Sequence, residues 1–178
     1  VVLIGTTDSH GTLLNPQGID VDALIDLKQS GQSVMDSPDG EKRDREAVVG
    51  IDCDIWIPAA RPDVVREDNV SQLSTKLVVQ GANIPFTDGA EQLCHKRNIL
   101  VVPDFIANAG GVICASVEYH GGTQSLAFQT IEEKIRSNTR RVLDKVAKTG
   151  LLPRQVAVDL ARERVQKAMS YRHLISCT

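Results

Sequence analysis

The chain has 178 residues and a net charge of −3, with 42% hydrophobic and 24% charged residues. Those proportions suit a globular domain with a buried core and exclude a disordered segment. No lysine- or arginine-rich stripe interleaved with aromatics occurs, which excludes a nucleic-acid surface. The longest apolar stretch, Ile99 to Val117, is interrupted by Pro103, Asp104 and Asn108, which excludes a membrane span.

The chain opens inside an apolar strand pattern, Val1-Val2-Leu3-Ile4, without an initiator methionine, and is expected to be a piece of a longer protein. The first strand is expected over Val1 to Thr7. Asn15-Pro16-Gln17-Gly18 reads as a turn. Asp20 is a good N-cap for a helix carrying Val21, Leu24, Ile25 and Lys28 at helical spacing and stopped by Gly31. Residues 32 to 46 are polar and weakly patterned, with a turn signal at Ser37-Pro38-Asp39-Gly40. A second strand is expected over Asp54 to Ile57, stopped by Pro58, then a short helix from Asp63 to Asn69. A third strand covers Lys76 to Val79. Thr87 caps a helix through Arg97, and a fourth strand covers Ile99 to Val102.

Helices follow from Asn108 to His120, from about Ser125 to Lys148, and from Pro153 to Tyr171. The second of these has apolar positions Phe128, Ile131, Ile135, Val142 and Val146. The last has proline in its first turn and Glu163 one turn before Lys167, a spacing suited to an ion pair. Short Val- and Ile-rich strands alternating with helices predict an α/β fold. A mainly parallel sheet, doubly wound with helices on both faces, is expected. Residues 1–122 form the expected dinucleotide-binding domain and 123–178 a C-terminal helical segment.

The cysteines, Cys53, Cys94, Cys114 and Cys177, form no C-x-x-C pair and share no zinc spacing with His10, His95, His120 or His173. No metal site is expected. The thiols read as small core residues in a reducing, cytoplasmic compartment, and the histidines as surface or helix-end residues.

In a parallel sheet the segments after each strand gather at the carboxyl edge, where open α/β sheets bind ligands. Here these segments are Thr7-Asp8, Ala59-Ala60, Gly81-Ala82-Asn83 and Asp104 through Asn108-Ala109-Gly110-Gly111. Small residues let a flat ligand approach the backbone. Asn83 and Asn108 each carry donors and an acceptor suited to a carboxamide or to ribose hydroxyls. Asp8 has the acceptors for a ribose diol. Singly, each has a plainer explanation: a cap, a turn residue, or glycines needed for helix packing. Together at one sheet edge they point to a nucleotide-type ligand.

Three segments, Asp52-Cys-Asp-Ile-Trp-Ile-Pro-Ala-Ala60, Val79-Gln-Gly-Ala-Asn83 and Val102-Pro-Asp-Phe-Ile-Ala-Asn-Ala-Gly-Gly-Val112, resemble the cofactor-domain motifs of the glutamate/leucine/phenylalanine/valine dehydrogenase family. Asp8-Ser-His-Gly-Thr-Leu-Leu-Asn-Pro-Gln-Gly18 and Leu160-Ala-Arg-Glu-Arg-Val165 are also similar to family segments, so the resemblance covers nearly the whole chain. It implies a Rossmann-like domain of an NAD(P)-dependent enzyme that oxidatively deaminates an L-amino acid, glutamate foremost, to a 2-oxo acid and ammonia. By the family pattern Asp8 faces the adenosine ribose, Ala59 and Ala60 line the cofactor, Asn83 and Asn108 hold the nicotinamide half, and Val112 touches the substrate. Asp8 favours NAD by repelling a 2′-phosphate, although its Asp-Ser-x-Gly setting resembles some NADP-using members.

Glutamate-specific members commonly carry a serine where this chain has Ala115. Ser116 lies about 100° round a helix from it, and an apolar residue here suits a branched-chain or aromatic substrate. The glycine-rich first strand–helix turn and the family's catalytic lysine and aspartate lie outside these residues, so no catalytic residue is assigned. The chain alone is expected to be inactive and the enzyme to be a homo-oligomer through its N-terminal domain. Because the first strand of the 3-2-1-4-5-6 order is central, Val1–Thr7 is expected to have no direct partner in the 76–79 or 99–102 strands. A different oxidoreductase using a similar sheet edge and a non-catalytic nucleotide-binding module are the competing readings.

Overall fold

The computed structural model describes residues 1–175, with side chains described through Tyr171. Cys177 and the side chain of His173 fall outside the described residues. The chain divides into two compact units, one of Val1–Asp54 with Asp68–Thr75, the other of Ile55–Glu67 with the residues from Lys76 on.

The first unit is built on a three-stranded antiparallel sheet. Strand β1 (Gly5–Thr7) pairs with β2 (Thr12–Leu14), and β2 with β3 (Glu41–Arg43). The first strand, expected over Val1 to Thr7 as part of the parallel sheet, is instead the three residues Gly5–Thr7 of this antiparallel sheet. The two returning strands were not expected from sequence. Each has three residues, β2 is Leu-rich, and β3 is wholly charged and exposed, the composition of a protected edge. Their pairing is set by contacts distant in sequence. The buried Thr12 hydroxyl donates to the Arg45 carbonyl at 3.0 Å and lies 3.2 Å from the Thr7 hydroxyl. Gly40, at φ 82°, has no room for a Cβ, which would fall 2.8 Å from the Leu14 carbonyl. Leu13, Val34, Val49, Val70 and Leu73 fill the core.

Helix α1 (Val21–Gln29) begins where Asp20 predicts. The Asp20 carboxylate accepts from the backbone N–H groups of Asp22 and Ala23, two of the donors a helix start leaves unpaired.

Strands β4 (Cys53–Trp56), β5 (Thr75–Val79) and β6 (Leu100–Val102), which but for Cys53, Asp54 and Thr75 belong to the second unit, lie side by side in that order. Strands β5 and β6 run parallel, with Val78 opposite Val101. The α/β class and the parallel pairing therefore stand. Helix α2 (Asp88–Lys96) joins β5 to β6, and its N-cap is Thr87, which accepts from the Ala90 N–H.

The helix expected over Asp63 to Asn69 is absent. Asp63 sits at φ 51°, and Val65 bridges in parallel to Phe86, so the β-branched Val64-Val65 pair is spent on an extended segment. Trp56 packs edge-on against Phe86 at 6.2 Å between ring centroids.

Four helices follow: α3 (Asp104–Ala107), α4 (Gly110–Tyr119), α5 (Gln124–Thr149) and α6 (Pro153–Ile175). The run expected to start at Asn108 is split, with Asn108 ending α3 and Ala109 capping α4. Val102, Ile106, Val142, Val156 and Ala157 form one buried cluster, flanked by Leu77, Val146 and Leu160. It seats the C-terminal part of α5 and the first turns of α6, whereas Phe128, expected in the apolar stripe of α5, is exposed. Glu163 accepts from Lys145 of α5 at 3.1 Å instead of pairing with Lys167, because helix–helix contact brings Lys145 within reach. His10, His95 and His120 occupy a surface turn, a last helical turn and a helix C-cap, as expected.

Candidate functional site at the carboxyl edge of the parallel sheet

Three loops meet where β4, β5 and β6 end. The Pro58 carbonyl after β4 accepts from the N–H groups of Gly81 and Ala82 at 3.0 and 2.8 Å, and Gln80 N–H donates to the Val102 carbonyl at 3.1 Å. A Cβ on Gly81 would lie 3.4 Å from the Ala59 Cβ, so these loops pack flank to flank. Ala59, Ala60 and Asn83 are exposed and Asn108 half-buried.

The two asparagines selected from sequence come together. Asn108 Nδ2 donates to Asn83 Oδ1 at 2.7 Å. Among the described residues, Asn83 Nδ2 and Asn108 Oδ1 then have no protein partner. Beyond this bond the two amides keep donor hydrogens and acceptor lone pairs, the group types that pair with a primary carboxamide.

Helix α4 leaves this edge with Val112 79% exposed and Ala115 also exposed, three residues apart on one helix face. Gly110 and Gly111 are not packing glycines. A Cβ on Gly110 would make only an ordinary 3.7 Å contact with Ile131, and one on Gly111 would meet nothing. The Asn-Ala-Gly-Gly turn is therefore bare on its outer side.

Asp8 belongs to the other unit. Its Oδ1 accepts from the His10 N–H (2.9 Å) and the Ser33 hydroxyl (3.1 Å), and its Oδ2 from Lys28 Nζ and the Val34 N–H, both at 2.9 Å. Burial opposes its ionisation, but Lys28 and the other three donors outweigh it and hold the carboxyl well below the usual range. Four donors occupy the lone pairs of the carboxylate, and Lys28 lies against its charge.

Sequence reasoning missed a buried polar cluster beneath the asparagines. Gln80 follows β5 and is fully buried, Glu91 is 3% exposed and Asp104 6%. Arg154, in the first turn of α6, reaches all three. Its Nε donates to Glu91 Oε2 at 2.7 Å, and its Nη2 lies 2.7, 2.9 and 3.0 Å from Glu91 Oε1, Gln80 Oε1 and Asp104 Oδ1. Gln80 Nε2 donates to Glu91 Oε1 at 2.7 Å, and Gln80 Oε1 accepts from the Asp104 N–H at 3.0 Å. The Arg154 guanidinium stands 5.6 Å from the Phe105 ring centroid, within cation–π range.

Asp104 Oδ2 accepts from the Ile84 N–H at 2.8 Å. Ile84 is a β-branched residue at φ 49°, a conformation that costs about 1–2 kcal/mol and persists only when neighbours impose it. Burial pushes the Asp104 carboxyl up, but the Ile84 and Phe105 N–H groups and Arg154 bring it below its ordinary value. Glu91 first, then Asp104, raise Arg154 further above its already high value. The sequence signal was slight: Gln80 lies between Val79 and Gly81 and Asp104 between Pro103 and Phe105, while Glu91, beside Gln92, gives none.

Among the described residues no group of three His, Cys, Asp or Glu side chains is placed to hold a metal ion, and no helix is long and apolar enough to cross a membrane.

Residues 2–173 match the sequence model of the Glutamate/Leucine/Phenylalanine/Valine dehydrogenase family. The NADP-specific glutamate dehydrogenase of Saccharolobus shibatae is 36% identical, covering 97% of this chain and 43% of that protein. An NAD-specific glutamate dehydrogenase of Staphylococcus aureus is 32% identical over 81% of this chain and 35% of its own length. The chain thus spans less than half the length of these curated relatives. Among solved structures, the hetero-hexameric glutamate dehydrogenase of Thermus thermophilus in its Leu-bound form superposes with a TM-score of 0.79. Its identity is 24%, covering 95% of this chain and 41% of that one. The L-tryptophan dehydrogenase of Nostoc punctiforme superposes with a TM-score of 0.68 at 21% identity, over 85% of this chain and 43% of the other. At these identities the structures speak for the fold.

Proposed function

Because the chain belongs to the glutamate/leucine/phenylalanine/valine dehydrogenase family, we propose that it is the nicotinamide-dinucleotide-binding part of an amino-acid dehydrogenase. The enzyme reversibly deaminates an L-amino acid, glutamate foremost, to a 2-oxo acid and ammonia. Residues 1–122 form the dinucleotide-binding part, and the helices from residue 123 on support it. The enzyme is cytoplasmic and assembles with copies of itself.

The observation that carries this reading is the Asn83–Asn108 pair. Its remaining donor and acceptor groups suit the carboxamide of a nicotinamide ring, and the exposed Ala59 and Ala60 leave the flanking backbone open to a flat ligand. When bound, NAD or NADP supplies the hydride acceptor. Asn83 and Asn108 are the residues that would hold its carboxamide, Asn83 Nδ2 as donor and Asn108 Oδ1 as acceptor. Asp8 holds the adenosine ribose only by giving up some of its four internal donors, so the NAD preference expected from its charge is weakened by Lys28.

Val112 and Ala115 share the exposed face of α4 and contact the substrate side chain. Both are apolar, which favours a second reading in which the preferred substrate is a branched-chain or aromatic amino acid.

The test is a titration of the chain with NADH and NADPH, together with an assay of the full natural polypeptide on L-glutamate, L-leucine, L-valine and L-phenylalanine. Dinucleotide binding with coenzyme reduction by one of these substrates is expected. Absence of both would overturn the reading.

A further inference from the structure

Arg154 stands far along the chain from the asparagines, yet it is joined to both of their loops. Gln80, three residues before Asn83, accepts from the guanidinium at 2.9 Å. Asp104, four residues before Asn108, lies 3.0 Å from the same nitrogen, and its backbone carbonyl accepts from the Asn108 N–H at 2.7 Å. The second Asp104 oxygen holds the Ile84 N–H at 2.8 Å and so keeps the residue after Asn83 in its left-handed conformation. Asn83 is therefore fixed on both sides, by Gln80 and by Ile84, and each of these anchors ends at Arg154.

The guanidinium is itself held by a two-point contact with Glu91, and its helix is anchored by the buried Val156 and Ala157, two and three residues on. A planar fork is required here, because one nitrogen must serve several acceptors in fixed directions while a second holds Glu91.

We propose that Arg154 is a positioning residue for the nicotinamide half of the coenzyme, acting through Asp104 and Gln80 to set the spacing and orientation of the Asn83–Asn108 amide pair. This rests on the dinucleotide reading of that pair. Arg154 does not touch the coenzyme.

Arg154→Lys in the full natural polypeptide keeps the charge and loses the fork. Binding of NADH or NADPH is compared with binding of the same molecule lacking its nicotinamide ring, ADP-ribose or its 2′-phosphate. The expected result is a loss of roughly tenfold or more for the reduced dinucleotide and no change for the ring-less probe, with the far-UV spectrum retained. Glu91→Gln, which loosens the same guanidinium from its other side, is expected to show the same split and carries the test where Arg154→Lys fails to fold. Equal losses for both probes, or no loss for either in a folded variant, would overturn the positioning role. A parent polypeptide that binds neither probe overturns the dinucleotide reading and this proposal with it. A parent that binds both, with variants that do not discriminate, overturns this proposal alone.

Discussion

Asn108 donates to Asn83 across 2.7 Å, joining side chain to side chain two loops whose backbones are already tied through Gln80 and Asp104. Asn108→Asp replaces the donor with a second acceptor, so Asn83 must turn its Nδ2 toward the new carboxylate, and the free donor of the pair is lost. An interaction of this kind is worth about 1–3 kcal/mol. Nicotinamide-dinucleotide affinity is expected to fall on the order of tenfold or more, while Asn108→Ser falls less. Calorimetric titration with NADH and NADPH reads the difference, and an Asn108→Asp chain that binds as well as the parent would remove the pair from the site.

Asp8 ties Lys28, Ser33, Val34 and His10 together in the antiparallel unit. Its carboxyl is held below the usual range in the folded chain, so the folded state binds this proton less readily than the unfolded state. The resulting stability is fully present above the unfolded value of about 3.9 and is lost as pH falls toward the lower folded value. Asp8→Asn is expected to destabilise the chain at neutral pH, with the gap to the parent closing below about pH 4. Urea melts from pH 7 down to pH 2 would show this, and a gap that persists unchanged to pH 2 would contradict it.

Lys28 covers the Asp8 charge at 2.9 Å. Lys28→Ala should uncover a carboxylate that repels a 2′-phosphate and accepts from a ribose diol. The NADH-to-NADPH affinity ratio is expected to rise on the order of tenfold, the scale of one charged hydrogen bond. An unaltered ratio would mean that Asp8 does not face the adenosine ribose.

Ala115 shares the exposed face of α4 with Val112. If that face lines the substrate, Ala115→Ser adds a hydroxyl able to hold a distal carboxylate. Glutamate-to-leucine selectivity, taken as the ratio of kcat/KM values in the full natural polypeptide, is expected to rise about tenfold, or about 1–3 kcal/mol. Identical ratios would place Ala115 away from the pocket.

The helices were readable because their signals are local: Asp20 and Thr87 as caps, Gly31 after α1, and the apolar spacing that ends in Val142 and Val146 on α5. The strands stopped by Pro58 and Pro103 were equally legible. The β2 and β3 strands were not, since a three-residue Leu-rich segment and the Glu41-Lys42-Arg43 run carry no period, and only the Thr12–Arg45 bond and the Gly40 turn bring them together. At the site, Asn83 and Asn108 stood out because each follows a strand. The Arg154 cluster stayed hidden because its members are spread from Gln80 to Arg154, and an arginine in the first turn of a helix looks like any solvated charge.

Cys94, on the buried side of α2, has no exposed surface, and burial above all pushes its thiol up to about 11. Cys114 on α4 is only half-buried. Modification requires the thiolate and access to it, so in a chain with Cys53 and Cys177 changed to serine an aromatic disulfide reagent at neutral pH should consume Cys114 in a prompt phase and wait for Cys94. The slow phase then measures how often the α2 region opens, and its rate extrapolated across urea concentrations times native-state breathing from within, with no dye, coenzyme or substrate present.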